Sequence, residues 1–254
     1  ATVRSRSAAS YSRPITVLVV HAEPVGEGTG VMMASHGWGG NRFQYAETME
    51  WAARELDVIC LSVEFRGSGY DFDSVAGRGA VRPYDASFYQ LFDVFAGLRF
   101  VLDRYPTVNR RRVYHYGGSQ GGHLALLSAI LAPATFACVY ATSPAVRVSG
   151  RLLENAGRSF EPHEASVRDV TDHVEAIRCP VILEHGTADP LLPVDDHTRE
   201  LQTALEHTEV EVDAEYYEGG DHFLAPKSSR FAEFKRKAPT AFRRRRVTAD
   251  PDDF

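Results

Sequence analysis

The sequence predicts an α/β fold in which helices cover both faces of a mainly parallel central sheet. Two observations predict this class. Short apolar runs recur along the 254-residue chain, and segments with helical spacing of apolar residues separate most of them. Such alternation is typical of βαβ units, because parallel strands need a crossover between them. Several apolar runs also end in glycine-rich loops, which in open α/β sheets commonly gather a site.

The individual strands are predicted where β-branched and other apolar residues cluster, and the last strand alternates as a half-exposed strand would. In chain order they lie at residues 15–21, 31–35, 58–63, 113–116, 136–141, 181–185 and 210–217. The helices are predicted from apolar residues three and four positions apart, as at Phe88, Leu91 and Phe95. They lie at residues 47–55, 87–102, 120–131, 195–206 and 228–237.

One domain is expected over residues 13–237, with a flexible tail at 1–12 and an exposed tail at 238–254. The first tail is rich in Ser, Arg and Ala and contains no acidic residue. Residues 145–177 are polar and separate two core strands, so we expect there either a small cap over the site or a plain surface helix pair. The Gly/Asp/Tyr loop at 67–85 is expected to border the pocket.

Composition and charge favour a soluble, cytoplasmic enzyme. A net charge of −6 disfavours nucleic-acid binding. No apolar run approaches the roughly 18 residues of a membrane span, and no secretory segment is visible. The cysteines are scattered in apolar runs and predict buried, reduced thiols, with neither a metal nor a disulfide pattern. We therefore expect no metal and no cofactor, and a homo-oligomer is compatible with the sequence. The basic run at 243–246 is followed by acids and favours a solvated tail.

The most informative segment is residues 117–122, with the sequence Gly-Gly-Ser-Gln-Gly-Gly. An apolar strand precedes it and an apolar helix follows, which is the context of a nucleophile elbow around Ser119. Glycines are needed because neighbouring side chains would clash in so sharp a turn. Ser119 would then lie at a helix N-terminus, where backbone N–H groups can stabilise an oxyanion.

A serine nucleophile needs a base, and the base needs a carboxylate that orients it. Asp189 follows the predicted strand at 181–185, and His222 follows the next strand on a glycine loop. Asp195 and Asp196 are rival carboxylates, but they suit the start of a helix better. The other histidines lie in strands, in polar segments or in other motifs. Ser119, Asp189 and His222, in this chain order, are therefore the predicted catalytic triad.

A second glycine-rich loop, His-Gly-Trp-Gly-Gly, begins at His36 after an apolar strand. Acyl transfer needs two N–H donors for the oxyanion. One would be the backbone N–H of Gln120, and the other that of Trp38, with Gly37 as the alternative. His36 itself is expected to brace the loop.

Together these segments resemble the α/β-hydrolase superfamily. The resemblance is carried by His-Gly-x-Gly-Gly, Gly-x-Ser-x-Gly, His-Gly-x-x-Asp and Gly-x-x-His, and it covers residues 15 to about 237. Gly-Gly-Ser-Gln-Gly-Gly and His-Gly-Thr-Ala-Asp-Pro-Leu-Leu-Pro look most like its prolyl-oligopeptidase, acetyl-xylan-esterase and dienelactone-hydrolase branches. The resemblance implies the α/β-hydrolase fold, with Ser119 as nucleophile, His222 as base and acid, and Asp189 as orienting acid. It assigns the oxyanion hole to Trp38 and Gln120.

Substrate identity is not carried by the resemblance. The nucleophile is serine, whereas dienelactone hydrolases typically carry cysteine. This sequence holds no N-terminal propeller, so a true prolyl-oligopeptidase-type peptidase is not expected. We predict a carboxylic-ester hydrolase that acts on a small or medium acyl substrate through an acyl-enzyme. The alternatives are a peptidase, thioesterase, lactonase or acyltransferase with the same triad and, from another class, a non-catalytic ligand-binding protein on a hydrolase scaffold.

Aromatic residues near the loops are candidates for binding substrate, although any one of them can equally fill the core. Tyr70, Phe72 and Phe223 are the predicted substrate-binding residues. Arg66 and Arg147 could meet a substrate carboxylate, although arginines more often form surface pairs.

Overall fold

The structure is a computed structural model, and it describes residues 2–6, 12–244, 246 and 253–254. The described strands are β1 Thr2–Arg6, β2 Ser12–Val20, β3 Gly30–Ser35, β4 Val58–Val63, β5 Val113–Gly118, β6 Cys138–Thr142, β7 Val181–Gly186 and β8 Val212–Tyr217. They form one sheet in the order β1-β2-β4-β3-β5-β6-β7-β8. At one edge, β2 pairs antiparallel with both β1 and β4. The remaining six strands, β4, β3, β5, β6, β7 and β8, are parallel to one another. This is the predicted α/β-hydrolase architecture.

The described helices are α1 Ala46–Glu55, α2 Phe88–Arg104, α3 Gln120–Leu131, α4 Arg151–Ala156, α5 Pro162–Ser166, α6 Glu200–Leu205 and α7 Arg230–Ala241. Short 3₁₀ turns lie at Gly69–Asp71 and Thr171–Ala176, and a π-helical turn at Asp195–Arg199 leads into α6. Helices α2, α3 and α6 pack on one face of the sheet, whereas α1 and α7 pack on the other. The central strands are therefore buried on both faces, which explains their continuous apolar runs.

Some element bounds differ from the sequence predictions. The helix predicted at 228–237 continues to Ala241, because Ala238 and Ala241 are buried against the sheet. The single helix predicted at 195–206 is a π-helical turn followed by α6. Strand β8 is half-buried at the sheet edge, which agrees with its alternating sequence.

The terminal segments contact the domain where they are described. Residues 2–6 form an edge strand on β2, although they fall in the predicted tail at 1–12; residues 1 and 7–11 of that tail lie outside the described residues. In the predicted C-terminal tail, the carbonyl of Arg246 accepts hydrogen bonds from Arg111, and Phe254 stacks on Phe95. Residues 245 and 247–252 lie outside the described residues.

Between β6 and β7 lie α4, α5 and a 3₁₀ turn, in the segment for which a cap is predicted. The three cysteines are buried free thiols, and burial raises the pKa of each. No helix in the described part of the chain is long and apolar enough to cross a membrane.

Candidate active site

Ser119 lies on a sharp turn between β5 and α3. Its φ of 58° and ψ of −123° are strained for a residue with a side chain, which costs on the order of 1–3 kcal/mol. A Cβ at Gly121 would lie 1.8 Å from the carbonyl oxygen of Ser35, and one at Gly117 would lie 2.4 Å from the Gly121 backbone. The surrounding glycines are therefore required by close backbone approach, as the elbow motif predicts.

Asp189 and His222 are joined by a short hydrogen bond. The Nδ1–H of His222 donates to Asp189 Oδ2 at 2.6 Å, and both side chains are almost fully buried. The other oxygen, Oδ1, accepts the backbone N–H groups of Leu191 and Leu192 at 2.8 and 3.0 Å. The carboxylate is thus fixed on one side by backbone and holds the imidazole on the other.

A second histidine, His185, also holds Asp189, and its position in a strand does not reveal this contact. The Nε2–H of His185 donates to Asp189 Oδ2 at 2.8 Å and to the Leu192 carbonyl at 3.0 Å. Its Nδ1 lies 2.6 Å from the Thr198 hydroxyl, which completes its hydrogen bonding. His185 is therefore a buried histidine with satisfied hydrogen bonds that also fixes the carboxylate.

These contacts perturb the titration of the pair. Burial alone would raise the pKa of Asp189, but the hydrogen bonds from His185 and His222 hold it well below its usual range. Burial and the positive charge of Arg230 lower the pKa of His222, and the hydrogen bond to Asp189 only partly offsets them. At neutral pH the site therefore contains a carboxylate and a neutral imidazole, which is the resting state that a general base requires.

Ser119 and His222 line the same cavity, which has a volume of about 490 Å³. Its wall includes Val148, Leu152 and Asn155 from the segment between β6 and β7. Among the described residues, no hydrogen bond within 3.5 Å joins the Ser119 hydroxyl to His222. The volume lies within the range of small-molecule pockets.

The backbone N–H groups of Trp38 and Gln120 are available to donate hydrogen bonds to an oxyanion. In the described part of the chain, no protein oxygen accepts from the N–H of Trp38 or of Gln120, and both residues line the cavity. The N–H of Gly37 donates instead to the Gln44 side chain at 3.1 Å, which favours Trp38 over the alternative donor. The Gln120 side chain is held by Tyr84.

His36 is buried beneath this loop. Its Nδ1–H donates to the Gly37 carbonyl at 2.9 Å, and its ring stacks on Phe65. Burial lowers the pKa of His36 to about 4, so it is neutral and suited to brace the loop.

The predicted substrate-binding aromatics separate into two groups. Among the described residues, Phe223 lines the cavity, whereas Tyr70 and Phe72 do not. Tyr70 packs edge-on against Phe43 and under the Arg42 guanidinium, and Phe72 is about half exposed on the outer loop. The structure therefore corrects the placement of Tyr70 and Phe72.

The two arginines considered for a substrate carboxylate are already paired. Arg66 donates to buried Asp93, with Nε to Oδ2 at 2.9 Å. Arg147 contacts Glu200 and Asp169 on the surface. The arginine that does line the cavity is Arg230, which no sequence motif marks as a functional residue.

Comparison with known proteins identifies a matching protein family. Residues 49–242, about three quarters of the chain, match the prolyl oligopeptidase family. The chain belongs to that family. Its membership places it among α/β-hydrolases, as the sequence motifs indicate.

The chain is also similar to individual members. It is 27% identical over 151 residues to an uncharacterized peptidase, YtmA, of Bacillus subtilis (strain 168), covering 54% of this chain and 58% of the relative. An acylaminoacyl peptidase of Pyrococcus horikoshii superposes with a TM-score of 0.77 at 17% identity, covering 99% of this chain and 42% of that one. The apo form of esterase 2 from Thermogutta terrifontis superposes with a TM-score of 0.67 at 19% identity, covering 87% and 85%. At such identities the superpositions show a shared fold, and the chain spans only about half the length of the two peptidases.

Proposed function

We propose that the chain is a serine hydrolase with Ser119 as nucleophile, His222 as general base and acid, and Asp189 as orienting carboxylate. The observation that carries the proposal is the 2.6 Å hydrogen bond between Asp189 and His222, on a cavity that Ser119 also lines. The strained backbone at Ser119 supports it, because such strain is stored at functional sites and is otherwise costly.

In this mechanism the Ser119 hydroxyl attacks the substrate carbonyl while His222 Nε2 takes its proton. Asp189 keeps the proton of His222 on Nδ1, so that Nε2 is free to accept. The N–H groups of Trp38 and Gln120 would stabilise the oxyanion. His222 then protonates the leaving group, and the acyl-enzyme is cleaved by water that His222 deprotonates.

We further propose that the scissile bond is the amide of a short peptide. The family match and the similarity to a bacterial peptidase support this choice over the ester predicted from the sequence. A cavity of about 490 Å³ has room for only a few residues of a peptide. Ester hydrolysis is the second candidate, supported by the fold shared with a bacterial esterase.

A matched pair of substrates separates the two candidates. The para-nitroanilide and the para-nitrophenyl ester of one N-acetylated amino acid differ only in the bond that is cleaved. A peptidase turns over both, since serine peptidases also cleave activated esters, whereas an esterase turns over the ester alone. Ser119→Ala is the control, and anilide turnover that survives in this variant would contradict the assigned nucleophile.

A further inference from the structure

Arg230 at the start of α7 is a buried cation on the wall of the active-site cavity. It is 8% exposed, and no carboxylate of the described residues lies within ion-pair distance of it. An arginine guanidinium stays charged at any physiological pH, and a buried charge without a counter-ion is costly. Such an arrangement needs either a compensating structural role or an anionic ligand.

The structural contacts of Arg230 use only part of its hydrogen-bonding capacity. Nη2 donates to the His222 carbonyl at 2.6 Å, and the guanidinium lies 4.9 Å from the centre of the Phe223 ring. Neither contact neutralises the charge. Nε is buried and makes no hydrogen bond with any described residue. A guanidinium has five N–H donors, so donors remain for a ligand.

Two tyrosines bring further hydroxyl groups to the same wall. The Tyr45 hydroxyl is buried without a hydrogen-bond partner among the described residues. The Tyr116 hydroxyl is buried beside the Thr142 side chain, and both tyrosines line the cavity. A Cβ placed on Gly118 would lie 2.7 Å from the Tyr45 hydroxyl and 2.6 Å from Arg230 Nη1. The hydroxyl and the guanidinium therefore converge beside the residue that precedes Ser119.

We propose that Arg230, with Tyr45 and Tyr116, forms a subsite that binds a carboxylate of the substrate. A carboxylate supplies the missing counter-charge and accepts several hydrogen bonds at once, which matches this set of donors. The other charged residue on the cavity wall, Glu47, is exposed and solvated, so it does not cancel the buried cation. This inference rests on the proposed function, because the ligand is the acyl substrate of Ser119.

The substrate carboxylate has two sources, the acyl chain or the leaving group, and two pairs of esters distinguish them. Mono-para-nitrophenyl glutarate is compared with para-nitrophenyl pentanoate, and meta-acetoxybenzoate with meta-methylphenyl acetate. Each pair replaces a carboxylate by a methyl group of similar size. We expect the wild-type protein to prefer the carboxylate by about tenfold or more in kcat/KM in one pair, mainly through KM.

Arg230→Gln should abolish that preference. The ratio within a pair is the informative quantity, because loss of the hydrogen bond to the His222 carbonyl affects both esters equally. Arg230→Lys should retain part of the preference. Arg236→Gln is the matched control on the same helix, since Arg236 pairs with Glu215 and Glu233 away from the cavity, and it should leave the ratio unchanged. Equal turnover within both pairs in the wild type, or a preference that survives Arg230→Gln, would overturn the proposal.

A binding measurement separates this proposal from the proposed function. In Ser119→Ala, calorimetry compares the monoanilide of glutaric acid with pentananilide, and the monoanilide of succinic acid adds a shorter chain. Suppose that the two monoanilides bind more tightly than pentananilide, and that Arg230→Gln removes this difference. That result supports the subsite even if the wild-type protein hydrolyses nothing. Turnover of neutral esters without any carboxylate preference or binding contradicts the subsite and leaves the hydrolase proposal intact.

Discussion

Replacing Asp189 by Asn is the most demanding test of the proposed triad. Asp189 accepts hydrogen bonds on both sides, from His222 and His185 through Oδ2 and from the N–H groups of Leu191 and Leu192 through Oδ1. An amide has only one acceptor oxygen. If that oxygen accepts from the two backbone donors, the NH₂ group faces His222. The NH₂ group can only donate, so it favours an Nδ1 that carries no proton.

The magnitude follows from this change of tautomer. His222 would then carry its proton on Nε2 and could not accept the proton of Ser119. The same substitution in the triad of a serine protease lowers kcat by about 10⁴-fold. We expect a loss on the order of 10³–10⁴-fold here, which corresponds to about 4–5.5 kcal/mol of activation free energy.

The assay is steady-state turnover of an activated ester by folded protein, with near-ultraviolet circular dichroism as the check on folding. Asp195→Asn is the matched control, because Asp195 is the rival carboxylate and pairs with Arg199 on the surface. We expect that control to keep wild-type activity. Activity of Asp189→Asn within about tenfold of the wild type would refute the assigned role.

Three further predictions concern the elbow, a buried acid and the pH profile. Gly121→Ala should destabilise the fold by several kcal/mol in urea unfolding, because the new Cβ would lie 1.8 Å from the Ser35 carbonyl oxygen; wild-type stability would contradict the close approach. Burial raises the pKa of Glu184 to about 7, so the folded state binds the proton more tightly than the unfolded chain. The stability that Glu184 contributes should therefore fall as pH rises from 4.5 to 7, by at most roughly 3 kcal/mol. It is measured as the difference between the wild type and Glu184→Gln, because buried histidines such as His36 have lowered pKa values and shift stability the opposite way in both proteins. A difference that does not change with pH would contradict the assignment. The acid limb of kcat/KM should have its midpoint below 6.5, and Arg230→Gln should move it upward, because Arg230 disfavours the protonated form of His222. A downward shift of this midpoint in Arg230→Gln would contradict the predicted effect of Arg230 on His222.

The sequence predicted the parts of the site that local structure encodes. A sharp turn between a strand and a helix needs glycines around Ser119, and the positions of Asp189 and His222 after successive strands follow from the parallel topology. The hydrogen bond between the two could be anticipated because the ends of neighbouring parallel strands meet at one sheet edge. Strands β7 and β8 are indeed adjacent.

The sequence could not predict contacts that depend on tertiary packing. Arg230 and Tyr45 lie at the starts of two helices that are far apart in sequence and pack on the same face of the sheet. Nothing in their local patterns distinguishes them from surface residues. Tyr70 and Phe72 were misplaced for the converse reason, since an aromatic residue in a glycine-rich loop has the same pattern whether it lines the cavity or packs elsewhere.

Covalent labelling with a fluorophosphonate probe tests the central claim most directly. An activated serine attacks the phosphorus centre, whereas ordinary serines do not react. We predict that mass spectrometry finds the label on the peptide that contains Ser119, that Ser119→Ala abolishes it, and that Asp189→Asn slows it strongly. Absence of labelling in folded wild-type protein, or a label on another serine, would contradict the account.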